Sequence, residues 1–117
     1  MTYTIRIMRP AQIEMQEIYR YIANELSNPS AAKRLILDID DVIESLKTDP
    51  MRFALVTDKY LSSKGFRKVL VRNYLVFFIV REEEKAVSVM RVLYGRRDWL
   101  SLLGEMGKKI PCSNEQD

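Results

Sequence analysis

At 117 residues, 47% hydrophobic and 30% charged, the chain is long enough to bury one core without disulfide or metal staples and too short for two ordinary domains. It contains no histidine and a single cysteine, which removes the commonest general base and metal ligand, every Ser-His or Cys-His nucleophile and any internal disulfide framework. The net charge is +3, yet residues 1–58 carry 7 basic and 9 acidic side chains whereas residues 59–117 carry 12 and 7, so the positive field lies on the second half and points to an acidic or polyanionic partner.

Taken in order, residues 3–8 alternate as a short strand, with Tyr3, Ile5 and Ile7 on one face, and Pro10 ends it. Ala11, Met15, Ile18, Ile22 and Leu26 follow at spacings of three and four, the stripe of an amphipathic helix. Asn28-Pro29 breaks that pattern and suits the N-cap and first position of a second helix, whose apolar side holds Ala32, Leu35, Ile36, Ile39, Val42, Ile43 and Leu46 before Asp49-Pro50 stops it. Two such helices joined by so short a link form an antiparallel hairpin, and their shared apolar face must cover a sheet.

That sheet is predicted from the second half. The run 74–80, Tyr-Leu-Val-Phe-Phe-Ile-Val, has no polar member and reads as a central strand apolar on both faces. Residues 66–71 form the strand before it, joined through Arg72-Asn73 as a two-residue turn, since Asn tolerates positive φ, which sets Val71 opposite Tyr74 and Leu70 opposite Leu75. After the charged turn 81–85, residues 86–94 make a third strand. Residues 51–64 show no period, but Phe53, Leu55, Val56, Tyr60 and Leu61 anchor them to the core, and residues 99–103 read as a short helix or an extended segment. The expectation is one α+β domain over residues 1–104, ordered β-α-α-β-β-β with a short C-terminal helix, and a flexible polar tail over 105–117 that contains Cys112. No apolar run approaches the roughly 20 residues of a membrane helix and no signal-peptide core is evident, so a cytoplasmic protein with no membrane partner is expected.

Walker loops, dinucleotide fingerprints, paired CxxC motifs and zinc-protease helices are all missing, and neither a cofactor nor a metal is expected. The signal lies in an ordered set: the helical hairpin with Ile18-Tyr19-Arg20-Tyr21-Ile22-Ala23, the Asp49-Pro50 stop, Gly65-Phe66-Arg67, Asn73-Tyr74-Leu75-Val76-Phe77-Phe78, and Val92-Leu93-Tyr94-Gly95-Arg96-Arg97-Asp98. In that order it resembles the RelE/ParE superfamily of toxins from type II toxin-antitoxin pairs, over about residues 3–103. The resemblance implies a compact toxin neutralised by a cognate antitoxin that wraps its surface. It also implies one of two targets: the ribosome with its mRNA, cut in the A site by RelE-like members, or DNA gyrase, on which ParE-like members act. A non-toxic interaction module of the same fold is a third possibility.

A metal-independent endoribonuclease needs a base for the ribose 2′-OH, cations for the phosphorane and an acid for the leaving oxygen. The resemblance offers Arg67, Lys68, Tyr94 and Arg97 for those roles, with Tyr94 standing where the family usually has histidine. RelE-like enzymes commonly carry an arginine directly after the hairpin tyrosine, and here that position is Leu75. Inhibition of a topoisomerase needs only a binding surface, so this departure and the long helical hairpin favour the ParE-like reading, with Arg67, Arg91, Arg96 and Arg97 as target-binding residues. Arg67 has a plain alternative as the ion-pair partner of a helical carboxylate, and Tyr19 and Tyr21 as cover for the helix–sheet boundary. If the hairpin covers one face of the sheet, an alternate set of the central strand stays partly open, either Leu75, Phe77 and Ile79 or Tyr74, Val76, Phe78 and Val80. The first set is expected to bind the antitoxin.

Overall fold

The computed structural model describes residues 2–108. The elements are β1 (Thr4–Ile7), α1 (Arg9–Arg20), a π-helical segment (Tyr21–Glu25), α2 (Pro29–Ser45), a 3₁₀ turn (Pro50–Arg52), α3 (Lys59–Ser63), β2 (Phe66–Val71), β3 (Tyr74–Arg81), β4 (Ala86–Tyr94) and α4 (Trp99–Gly107). The sheet order is β1-β4-β3-β2. The antiparallel meander of the last three strands is present, with Val71 opposite Tyr74 and Leu70 opposite Leu75. The positive φ of that turn, 56°, falls on Arg72 and not on Asn73. β1 adds to β4 in parallel, Thr4 against Ala86 through Ile7 against Val89, a long-range pairing that no local pattern encodes.

The two faces of β3 explain its composition. Toward α1 and α2, Val76 and Phe78 pack with Val71, Val87, Val89 and Val92 against Ala11, Leu35, Ile39, Ile43 and Leu46. Toward the other side, Leu75, Phe77 and Ile79 pack with Phe66, Met90 and Leu93 against Val56, Leu61 and Leu103. Leu75, Phe77 and Ile79, expected as the open antitoxin-binding face, are therefore covered by the chain itself, with relative exposures of 8%, 0% and 4%. The cause is α4. Residues 99–103 continue as helix to Gly107, and Leu103, with Trp99, Leu102 and Met106 beside it, closes the face that the hairpin leaves free. Residues 105–107, expected to open a flexible tail, belong to that helix. Cys112 and the rest of the expected tail lie outside the described residues.

Other departures have local causes. The π-helical segment takes its hydrogen bond from Leu26 N–H to the Tyr21 carbonyl, five residues back, and this wider turn carries Leu26 out of the apolar stripe to 56% exposure. α3 is a single turn, too short to show a period, yet its Asp58 N-cap carboxylate accepts from the Leu61 N–H at 3.0 Å. The Asn28 cap of α2 forms as expected, accepting from Ala31 N–H at 3.2 Å.

Candidate functional site

The site begins where β4 ends. The register of β3 with β4 shifts at Phe77/Phe78, so that Phe77 faces Arg91 while Phe78 faces Val89, and Met90 is the extra residue of a bulge. β1 accompanies β4 only as far as Val89, so the outer edge of β4 beyond it needs another partner. Glu14 of α1 supplies one. Its Oε1 accepts from the Val92 N–H at 2.9 Å, and its Oε2 accepts from Nε of Arg91 at 2.7 Å and from Nη2 of the same guanidinium. The two side chains are only 10% and 16% exposed, so this is a buried clamp between α1 and β4. Arg91, expected among the target-binding residues, is consumed by it.

Past the clamp, Tyr94 lies opposite Tyr74, with ring centroids 5.6 Å apart and planes inclined at 59°. Gly95 then turns the chain. Its N–H donates to the Asn73 carbonyl at 2.8 Å, and a Cβ there would stand 3.2 Å from that oxygen, which is why glycine suits this position. Arg97 N–H donates to the Tyr94 carbonyl at 3.0 Å, and Asp98 caps α4 by accepting from Ser101 N–H at 3.4 Å. Between these fixed points the side chains of Arg96 and Arg97 are exposed, with no hydrogen bond or ion pair among the described residues.

Arg97, Tyr94 and Tyr74 form one wall of a cleft of about 590 Å³, and Glu14, Glu17 and Ile18 of α1 with Tyr21 of the π-helical segment form the other, over Val92. Burial, and then the neighbouring Tyr94 and Tyr21, hold the Tyr74 phenol above its ordinary range, so the hydrogen-bond donor that any tyrosine offers at neutral pH persists further into the alkaline range. A smaller adjoining cleft of about 340 Å³ runs from Arg97 and Glu17 to Arg9 and Ile13.

The remaining site residues lie elsewhere. Arg67 faces Phe78 and Lys68 faces Phe77, so alternation puts them on opposite faces of β2. Arg67 donates to the Phe53 carbonyl at 2.7 Å and not to a helical carboxylate, while the Lys68 ammonium sits 4.7 Å over the Trp99 ring. Phe78 and Tyr74 are four residues apart on β3, which separates Arg67 from the Tyr94 row by roughly 13 Å. Of the four residues offered for RNA cleavage, Tyr94 and Arg97 line this cleft and Arg67 and Lys68 do not. Sequence reasoning did not single out Glu14 and Glu17, and it placed Tyr21 as boundary cover although it is 54% exposed. Their spacing of three and four, through α1 to its helical C-cap Tyr21, puts all three on one face, a signal that was present.

The profile of the family described as ParE toxin of type II toxin-antitoxin system, parDE, matches residues 5–99. No curated protein matches the chain. Among solved structures, the chromosomal ParDE system of P. aeruginosa is similar at 18% identity and TM-score 0.65, covering 80% of this chain and 96% of that one. The toxin-antitoxin complex RelBE2 of Mycobacterium tuberculosis is similar at 14% identity and TM-score 0.61, covering 80% and 99%. A mutant of E. coli RelE in the free state matches at 14% identity and TM-score 0.61, covering 87% and 93%. The strand, helical hairpin, meander and closing helix are those of the RelE/ParE fold, and the chain belongs to the ParE toxin family of type II toxin-antitoxin systems.

Proposed function

We propose that this chain is a ParE-like toxin that inhibits DNA gyrase by binding it and is neutralised by a cognate antitoxin. One observation carries the choice of target. The residues that an endoribonuclease of this fold would use are dispersed: Arg67 is tied to a backbone carbonyl on one face of β2, Lys68 stands over Trp99 on the other, and Leu75 is buried where a guanidinium would be needed. Cations that do not converge on one phosphate cannot stabilise a pentacoordinate transition state together. A binding toxin needs no such convergence. What it needs is an exposed, preorganised surface, and the end of the sheet supplies one in Tyr94, Arg96 and Arg97. The basic charge there also suits an antitoxin with an acidic segment.

The RelE-like reading keeps one observation in its favour, the shared cleft of Tyr94 and Arg97. Purified protein tests the two side by side. Loss of DNA supercoiling by gyrase, with no ribosome-dependent cleavage of mRNA, is the expected result; cleaved mRNA with gyrase unaffected reverses it. Controlled expression with healthy growth and neither effect leaves the non-toxic interaction module.

A further inference from the structure

Resting on the gyrase-binding reading, we infer that the target docks in the tyrosine-walled cleft between α1 and the end of β4, and that the docking segment is an acidic stretch of the gyrase protein bearing an apolar anchor. The lining is of the kind that dominates protein interfaces: Tyr21, Tyr74, Tyr94 and Arg97 over Ile18 and Val92. Tyr21 is 54% and Tyr94 40% exposed, so these rings stand at the mouth and leave about 590 Å³ unfilled. An aliphatic or aromatic side chain entering there would exchange water for three rings, and the protonated phenol of Tyr74 adds a donor for a carbonyl or carboxylate.

Charge sets the rest of the partner's chemistry. Around this cleft and the adjoining one, the guanidinium of Arg91 is neutralised by Glu14. Of the other charged residues lining the two clefts, Arg9 and Arg97 make no ion pair among the described residues, against one carboxylate without an ion pair, Glu17. The surplus is cationic, which draws carboxylates to the rim. A nucleic-acid strand, with a phosphate at every step, fits less well than a protein segment whose carboxylates can be spaced away from Glu17, which lines both clefts. The walls are also preorganised: the clamp of Glu14 to Arg91 and Val92 holds α1 against β4, so docking orders little that is not already ordered.

The test measures inhibition of supercoiling and direct binding to gyrase without DNA, for the wild type, Tyr21→Ser, Arg97→Glu and Leu37→Ser. Leu37 is 51% exposed on α2 and lines neither cleft, so its variant should match the wild type. Tyr21→Ser and Arg97→Glu should each raise the half-inhibitory concentration at least tenfold while thermal unfolding stays within a few degrees. If wild type inhibits gyrase and both cleft variants inhibit equally well, the docking site lies elsewhere and the gyrase reading stands. If wild type leaves gyrase untouched, the reading itself fails and this inference with it. Cleft variants that lose binding to a single-stranded oligonucleotide yet keep full affinity for gyrase would assign the cleft to nucleic acid and overturn the proposal.

Discussion

Glu14 shows how one buried side chain can hold together the two elements that make a site. Its carboxylate is shared between a backbone N–H left over where β1 stops and a guanidinium left over by the β4 bulge. Removing one partner of a buried pair strands the other, at a cost of about 3–5 kcal/mol when burial is complete. Since Arg91 retains 16% exposure, Glu14→Gln is expected to destabilise by about 2 kcal/mol. Urea denaturation should show a lower midpoint at unchanged slope, and an unchanged midpoint would reduce the clamp to a surface pair. Tyr74 gives a second prediction. Its phenol is held above the ordinary range by burial, then by Tyr94 and Tyr21. A folded value above the unfolded one gives stability that is fully present below about pH 10 and lost as pH rises through the folded value. Tyr74→Phe should therefore flatten the alkaline fall in stability, read as melting temperature from pH 8 to 11, and change little at neutral pH.

Among the elements, those with a local signature could be read before any coordinates. The all-apolar run of β3 demanded cover on both faces, the Arg72-Asn73 pair set the hairpin register, and Asn28-Pro29 placed the start of α2. Three features resisted for physical reasons. A single turn such as α3 has no period to detect, the parallel pairing of β1 with β4 joins segments about eighty residues apart, and the cover from α4 depends on which face the hairpin leaves open. The Glu14 clamp was invisible because it depends on where β1 ends. One turn was placed correctly but not its strain: Asp49, before Pro50, has φ 50° and ψ 58° with no side-chain cap bond. The left-handed region costs a non-glycine residue about 1–2 kcal/mol, part of which glycine loses again through its unfolded-state entropy. Asp49→Gly is expected to stabilise by about 0.5–1 kcal/mol, measured as a higher urea midpoint; a lower midpoint would mean the carboxylate has a role the turn geometry does not show.

For the whole molecule, the consequence of two covered faces is cooperativity. β3 contributes Val76 and Phe78 to one core and Leu75, Phe77 and Ile79 to the other, so neither core can open without disturbing the strand they share. Ile39→Ala in the first and Leu103→Ala in the second, both at 0% exposure, should each destabilise by about 2–4 kcal/mol and move one common transition, with calorimetric and van't Hoff enthalpies equal. A partner that binds only the folded chain adds to that same transition. An antitoxin at 100 times its dissociation constant stabilises by about 2.7 kcal/mol. With an unfolding entropy of about 2.1 cal/mol/K per residue, that raises the melting temperature of a chain this size by about 10 °C. An antitoxin with an acidic segment would meet the exposed cations at the sheet end, so Arg96→Ala with Arg97→Ala should weaken the association and its dependence on salt together. Calorimetry of the toxin with a peptide from its cognate antitoxin checks both. A separate low-temperature transition for Leu103→Ala would show that α4 opens independently of the hairpin core, and a saturating peptide that leaves the melting temperature unmoved would mean the folded chain alone is not what the antitoxin recognises.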